Sequence, residues 1–436
     1  MKTSSKLINK LQNSKFFQDS FWAVFGNGMG YALLLLAGII IARLLGKDIY
    51  GEYGLVKTSL FYIASFATFG IGYTSTKYIA QYVQMNKDVL FVLTKRLLTI
   101  SLIFSFATCL LLFIFAGKFS EFAGDERLIT PFRYLGIIVV LRAMSVTGAG
   151  IISGYKKYKI LAFNNIVSGG IMLVLCFPLT YYFGLKGSLF TLLVSQLVIA
   201  VMNLLCVLRI NSKNVIRNAE VHSIKYGSIL KFSFPVALHE MSYTFFNLLG
   251  TLMFSRYSSL GEFGLFTAVF QWNTVILFVP GLLSNVILSY LSGDAHNKYH
   301  HHTINKMLLV NLICSFIPFL AVFIMSDLIV SLYGASFVEM KSVLNIFIFS
   351  TIFLSLIQVY QANLLSEGKT WFYFFNKVLR DASLVCIFYF VLRRTNGFHA
   401  AYNYGIINLI LLFINLLVLF LYHKLVHKDK HSLGTL

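Results

Sequence analysis

Charge is what this sequence has least of. Only 12% of its residues are charged and 58% are hydrophobic, against roughly a quarter charged in a soluble domain. Acids are scarcer still, with 16 Asp and Glu against 36 Lys and Arg in 436 residues. So few polar groups exclude a large soluble domain. Prolines number five, and Pro280 is expected to kink the span that holds it. The cysteines Cys109, Cys176, Cys206, Cys314 and Cys386 fall in apolar runs at wide spacing. That excludes a disulfide framework or a zinc-type ligand set and leaves them as small hydrophobes. No GxxxxGK[ST] phosphate loop occurs, so direct ATP drive is not expected. No cofactor is expected. His296, His300, His301 and His302 read as a solvated loop rather than a metal site.

What is there is a series of long apolar runs. Twelve are read, at about 20–42, 54–78, 97–116, 132–152, 160–183, 187–208, 230–254, 264–290, 305–325, 342–365, 371–391 and 399–422. Each is long enough at 1.5 Å per residue to cross about 30 Å of hydrocarbon as a helix. They are continuous rather than alternating, which excludes a membrane β-barrel. The fold class expected is an all-α integral membrane protein of about twelve spans. No cleavable leader is expected, because 1–15 is basic and polar and the first apolar run is too long for one.

The surplus of cations sets the orientation. Placing both termini in the cytoplasm leaves 22 Lys and Arg on the inner side and 10 on the outer side, the bias the positive-inside rule demands. The expected location is the cell (inner) membrane, multi-pass. Cations scattered among spans do not read as a nucleic-acid surface, and no nucleic acid partner is expected.

The chain reads as a duplication. Gly51-Glu52-Tyr53-Gly54-Leu55 recurs as Gly261-Glu262-Phe263-Gly264-Leu265, and Phe163-Asn164 recurs as Phe375-Asn376. Gly184-Leu185-Lys186-Gly187 is echoed by Gly397-Phe398-His399-Ala400. The domains expected are an N-terminal lobe of six spans (1–209), a basic cytoplasmic linker (210–229) and a C-terminal lobe of six spans with a basic tail (230–436). Six spans per copy put both copies in the same orientation, with a site expected at their interface near the midplane.

Several motifs carry a family resemblance. They are Arg43-Leu44-Leu45-Gly46 followed by Gly51-Glu52-Tyr53-Gly54-Leu55, the Lys231-Phe232-Ser233-Phe234-Pro235 entry to span seven, the Gly264-Leu265-Phe266-Thr267-Ala268 start of span eight, and Gly184-Leu185-Lys186-Gly187. Together they resemble the polysaccharide transporters, the Wzx-type O-antigen flippases, of the multidrug/oligosaccharidyl-lipid/polysaccharide (MOP) superfamily. The resemblance implies two six-helix lobes around a V-shaped cavity. It also implies a non-enzymatic role: flipping an undecaprenyl-diphosphate-linked oligosaccharide to the outer leaflet for O-antigen, capsule or exopolysaccharide assembly. Partners so implied are that glycolipid, membrane lipids, H+ or Na+, and polysaccharide polymerase machinery. A drug/cation antiporter of the same superfamily is the competing reading. A membrane glycosyltransferase or polymerase is a third, disfavoured by short outer loops without an acid/base constellation.

Ionisable residues inside spans are the candidate site residues, because each costs about 2.5–3.5 kcal/mol at a helix centre on insertion scales. Lys57 and Arg142 are the expected cavity cations for a diphosphate or acidic sugar. For Lys57, snorkelling to the outer interface is the alternative. Ser145, Ala149 and Ser153 below Arg142, and Ala64 and Thr68 below Lys57, are read as small cavity-facing stripes. Glu240, with His239 beside it, is the candidate for ion coupling. Lys377, Arg380 and Asp381 form a cavity or structural cluster, with Lys377 and Asp381 spaced to pair. Gly26, Asn27, Gly28 and Gly30 are expected to serve helix packing.

Overall fold

A computed structural model describes residues 15–85, 89–123, 129–211, 226–281, 283 and 300–433. Most of the expected linker 210–229, His296, and the side chains of His239 and of His300, His301 and His302 lie outside the described residues. Among the described residues there is no strand. The helices are α1 Lys15–Thr68, α2 Ile71–Met85, α3 Leu90–Ala123, α4 Ile129–Gly154, α5 Tyr158–Asn211, α6 Tyr226–Tyr257, α7 Leu260–Ile276, α8 His300–Ile324, α9 Ser326–Tyr333, α10 Met340–Ser366, α11 Thr370–Thr395 and α12 Ala400–Leu433. Among the described residues seven helices are long and apolar enough to cross a membrane. Two of these, α1 and α5, are each folded once and supply two limbs.

The folds fall at glycines. Gly46 has φ 70°, ψ 167° and Gly184 has φ 55°, ψ −133°, backbone that a side chain would strain. At Gly46 the turn is much shorter than the polar stretch 43–55 suggests, because helix resumes at once. The second limb of α1 ends instead at Phe69-Gly70, both at positive φ, and α2 continues beyond. Span two is therefore broken.

The residues cluster into two compact units. Unit 1 holds residues up to Leu44 and Tyr53–Leu252, and unit 2 holds Leu45–Glu52 and Met253–Leu436. In unit 1, α3 packs on α4, and α4 packs on both α2 and α5. An aliphatic cluster of Ile71, Leu93, Leu97, Ile151, Val207 and Ile229 fills one end. Polar side chains tie the apolar helices where no water can serve them. Asn165 Nδ2 donates to Asn27 Oδ1 at 2.7 Å, and Asn164 Nδ2 donates to Asn203 Oδ1 at 2.8 Å. The first of these joins the glycine-rich face of α1 to α5, so that face serves packing.

Unit 2 is built around aromatic rings. Phe254, Phe266, Phe347, Phe388 and Tyr404 form a connected cluster, with Phe388 edge-on to Tyr404 at 5.0 Å. The turn Leu45–Glu52 docks into this unit. Tyr50 is fully buried, accepts from Gln271 Nε2, and meets Phe337 edge-on at 6.0 Å. Lys47 pairs with Glu339 at 3.0 Å. Backbones touch here: a Cβ on Gly51 would fall 1.8 Å from the Leu260 carbonyl oxygen, and one on Gly264 would fall 2.0 Å from the Lys47 carbonyl oxygen.

The duplication is visible in side-chain pairing. Asn164–Asn203 in unit 1 is matched by Asn376–Asn415 in unit 2 at 3.1 Å, both residues shifted by 212 positions. Thr147–Ser101, joining α4 to α3 at 2.8 Å, is matched by Ser355–Ser315, joining α10 to α8 at 2.9 Å.

Candidate functional site

Two ionisable residues of unit 1, Lys57 and Arg142, lie near rings of the second limb of α1. Because α1 resumes directly after Gly46, Lys57 lies eleven residues along the second limb, about 16 Å from the bend at 1.5 Å per residue. That is deeper than a helix beginning near Gly51 would place it. Phe61 follows one turn later on the same face. Arg142 is thirteen residues into α4, about 20 Å along it, and its guanidinium carbon lies 4.9 Å from the Phe61 ring centroid. Lys57 Nζ lies 5.8 Å from the Tyr53 ring centroid. Lys57 and the Phe61 ring that Arg142 meets thus lie on adjacent turns of one face of α1, and each cation is set near an aromatic ring, whose π-face is negative.

Two tyrosines complete the group. Tyr31 on the first limb of α1 is within electrostatic reach of Arg142 and of Tyr73, and Glu240 on α6 is within reach of Tyr73. Tyr31 is 42% exposed and Tyr73 is 68% exposed, while Lys57, Arg142 and Glu240 are half-buried. Tyr62 Oη and Asn247 Oδ1, 3.5 Å apart, join α1 to α6 beside them. Unit 1 therefore assembles two cations, one carboxyl-bearing residue and exposed phenols from four helices. Such a set can bind an anion and hydrogen-bond hydroxyl groups.

Of the small-residue stripes, Ser145, Ala64 and Thr68 are buried, while Ala149 and Ser153 are half-buried. Ser145 is 3% exposed and takes hydrogen bonds from Asn203 Nδ2 at its hydroxyl, 3.2 Å, and at its carbonyl, 3.1 Å. Helical spacing put these residues below the cations, and Ser145 is taken up instead by packing against α5.

The remaining charged cluster belongs to unit 2. Asp381 is 3% exposed and accepts from Arg380 Nε at 2.9 Å, with Arg380 Nη2 closing the ion pair. Helical spacing pointed to Lys377 as its partner; the structure puts the adjacent Arg380 there. Such a neutralised pair suits a structural role.

Sequence reasoning passed over a small cleft at the junction of α10, α11 and α12. Tyr360, Asn363, Glu367, Lys369, Tyr422 and His423 line it. Lys369 lies 2.8 Å from Glu367 and over the Tyr422 ring. Burial alone disfavours its charge, yet the Glu367 carboxylate and Tyr422 together hold the ammonium above its usual value. Among the described residues no group of His, Cys, Asp and Glu could hold a metal ion.

Comparison with known proteins follows this geometry. A family model described as polysaccharide biosynthesis protein matches residues 16–292. An uncharacterized membrane protein of Methanocaldococcus jannaschii is 23% identical over 240 residues, 52% of this chain and 56% of that protein. The match thus spans about half the length of that curated relative. Among solved structures, an inward-facing multidrug resistance MATE family transporter of the MOP superfamily superposes with a TM-score of 0.74 at 14% identity, covering 93% of this chain and 99% of that one. The lipid II flippase MurJ, in an inward closed conformation, superposes with 0.66 at 16% identity, covering 90% and 88%. A MOP superfamily transporter from Pyrococcus furiosus, whose binding pocket is described as reversed in polarity, gives 0.63 at 14% identity, covering 92% and 94%. The chain shares the fold of these proteins.

Proposed function

Because the chain belongs to the polysaccharide biosynthesis protein family, we propose that it flips a lipid-linked oligosaccharide across the cell membrane. The cargo is an undecaprenyl-diphosphate-linked repeat unit, carried from the cytoplasmic to the outer leaflet for O-antigen, capsule or exopolysaccharide assembly. Movement is by alternating access of the lobes 1–209 and 230–436, with both termini and the linker 210–229 in the cytoplasm.

One observation carries this reading. Arg142 is held about midway along a membrane helix against Phe61, one turn from Lys57. A diphosphate entering a low-dielectric region needs fixed positive charge at that depth, and the planar guanidinium fork matches phosphate oxygens. Exposed Tyr31 and Tyr73 beside Glu240 offer hydroxyl and carboxyl partners for sugar hydroxyls. In this scheme Glu240 also takes up H+ or Na+ to couple transport. The fold is equally that of drug antiporters, so fold does not choose between cargoes. The sign of the deep charge supports the anionic cargo, because an organic cation would call for carboxylates where Lys57 and Arg142 stand.

The test is made in cells depleted of this protein. Lipid extracts should accumulate a completed undecaprenyl-diphosphate oligosaccharide in the inner leaflet, with surface glycan lost and restored by the intact gene. Unfinished units would assign the protein to assembly chemistry. Normal glycan with raised drug sensitivity would replace the flippase with an antiporter.

A further inference from the structure

Both units hold an arginine well inside a span, and the two are held in opposite ways. Arg380, ten residues into α11, spends its fork on the adjacent Asp381, with Nε at 2.9 Å and Nη2 closing the pair. Arg142, thirteen residues into α4, has no carboxylate partner and no hydrogen bond among the described residues. Its guanidinium carbon lies 4.9 Å from the centroid of the Phe61 ring, and both side chains are half-buried.

The two partners do different things to a guanidinium. A carboxylate cancels its charge and occupies its N–H donors. A ring attracts the cation but leaves its charge uncancelled, and the donors stay available to an anion. The ring is also a restraint, because a long cationic side chain within a span otherwise extends toward the nearer surface. Phe61 stands four residues after Lys57 on one face of α1, so this ring is what draws the α4 guanidinium to that face. The duplicated scaffold does not supply the pairing a second time. The offset that carries Gly51 to Gly261 carries Lys57 to Thr267 and Phe61 to Gln271. Gln271 donates instead to the buried Tyr50.

We propose that Phe61 is a positioning residue of the transport site: its ring holds the Arg142 guanidinium inside the span, with the charge and N–H donors left for the oxygens of a diphosphate. This role rests on the flippase reading, and the two can fail separately. Surface glycan is measured in cells whose copy of the protein is F61L, F61Y, R142Q or F61L/R142Q, at matched protein level. F61L keeps apolar bulk and loses the π-face, and should transport about tenfold less. F61Y keeps the face and should transport normally. R142Q should be at least as defective as F61L. The double variant should be no worse than R142Q alone, because a ring without its guanidinium has nothing to hold. F113L takes a ring from Arg133, 5.3 Å away near the start of the same helix, and should transport normally. F61M replaces F61L if that variant accumulates poorly. Purified full chain titrated with undecaprenyl diphosphate gives a second readout. F61Y should bind it as the wild type does, and F61L and R142Q about tenfold more weakly. Full transport by F61L beside a defective R142Q would overturn the positioning role alone. So would equal defects in F61L and F61Y, or a further loss in the double variant, which mark a ring that only fills space. Full transport by R142Q would overturn the flippase reading of the site and this role with it.

Discussion

Arg142 stands where a charge is hardest to keep, and its neighbours are rings rather than carboxylates. Removing the charge while keeping a polar side chain tests its role directly. R142Q should lower surface glycan at least tenfold at unchanged protein level, and R142K should retain part of the activity. Arg133, near the start of the same helix and over Phe113 at 5.3 Å, is the control, and R133Q should transport normally. Glycan staining with a parallel immunoblot reads all three; full transport by R142Q would remove Arg142 from the site. In the same assay E240Q should lose the dependence on the ion gradient, and a retained dependence would end the coupling role. Lys57, Arg142 and Glu240 were legible because a charge in an apolar run is rare by its energy. Tyr31 and Tyr73 were not. The chain has 24 tyrosines, and one phenol in a membrane helix looks like another until packing leaves it exposed beside a charge.

At the scale of elements, the repeated Gly-Glu-aromatic-Gly motif has a packing explanation. Gly51 and Gly264 let two backbones touch, and a methyl at either position would strike a carbonyl group. G264A should therefore destabilise the protein by about 1–3 kcal/mol, the range for overpacking a close contact. A Cβ on Gly117 would meet nothing within 4 Å, and G117A should leave stability unchanged or slightly raised by helix propensity. Detergent melting curves of the two variants decide it, and equal curves would refute the close-contact account. The motif's recurrence was visible in the sequence, but its reason was not, since the partner of Gly264 lies more than two hundred positions away. Ser259 shows the opposite case. Its hydroxyl accepts from the Glu262 backbone N–H at 3.2 Å, the Ser-x-x-Glu start of a helix that local sequence alone signals. The Glu262 carboxylate turns instead to the Ala401 N–H at 2.8 Å, capping a second helix that no local rule could identify.

For the whole molecule, the proposed orientation rests on the cation bias and has its own test. In a background with the native cysteines replaced, N218C in the linker should react with a membrane-impermeant maleimide only after cells are opened. N396C, in the turn between α11 and α12, should react in intact cells. The reverse pattern would invert the topology. The sequence by itself determined the helical membrane class and the recurrence of its motifs. Those depend on hydrophobic length and repeated motifs, which are properties of the chain taken locally or against itself. Only the tertiary structure decided that Leu45–Glu52 packs into unit 2, that Ser145 bonds to Asn203, that Arg380 holds Asp381, and that Asn164–Asn203 and Asn376–Asn415 repeat one pairing. In a membrane every helix is apolar on most of its surface, so hydropathy cannot say which face meets which neighbour. That choice is made by close backbone contacts and a few hydrogen bonds between residues far apart in the chain.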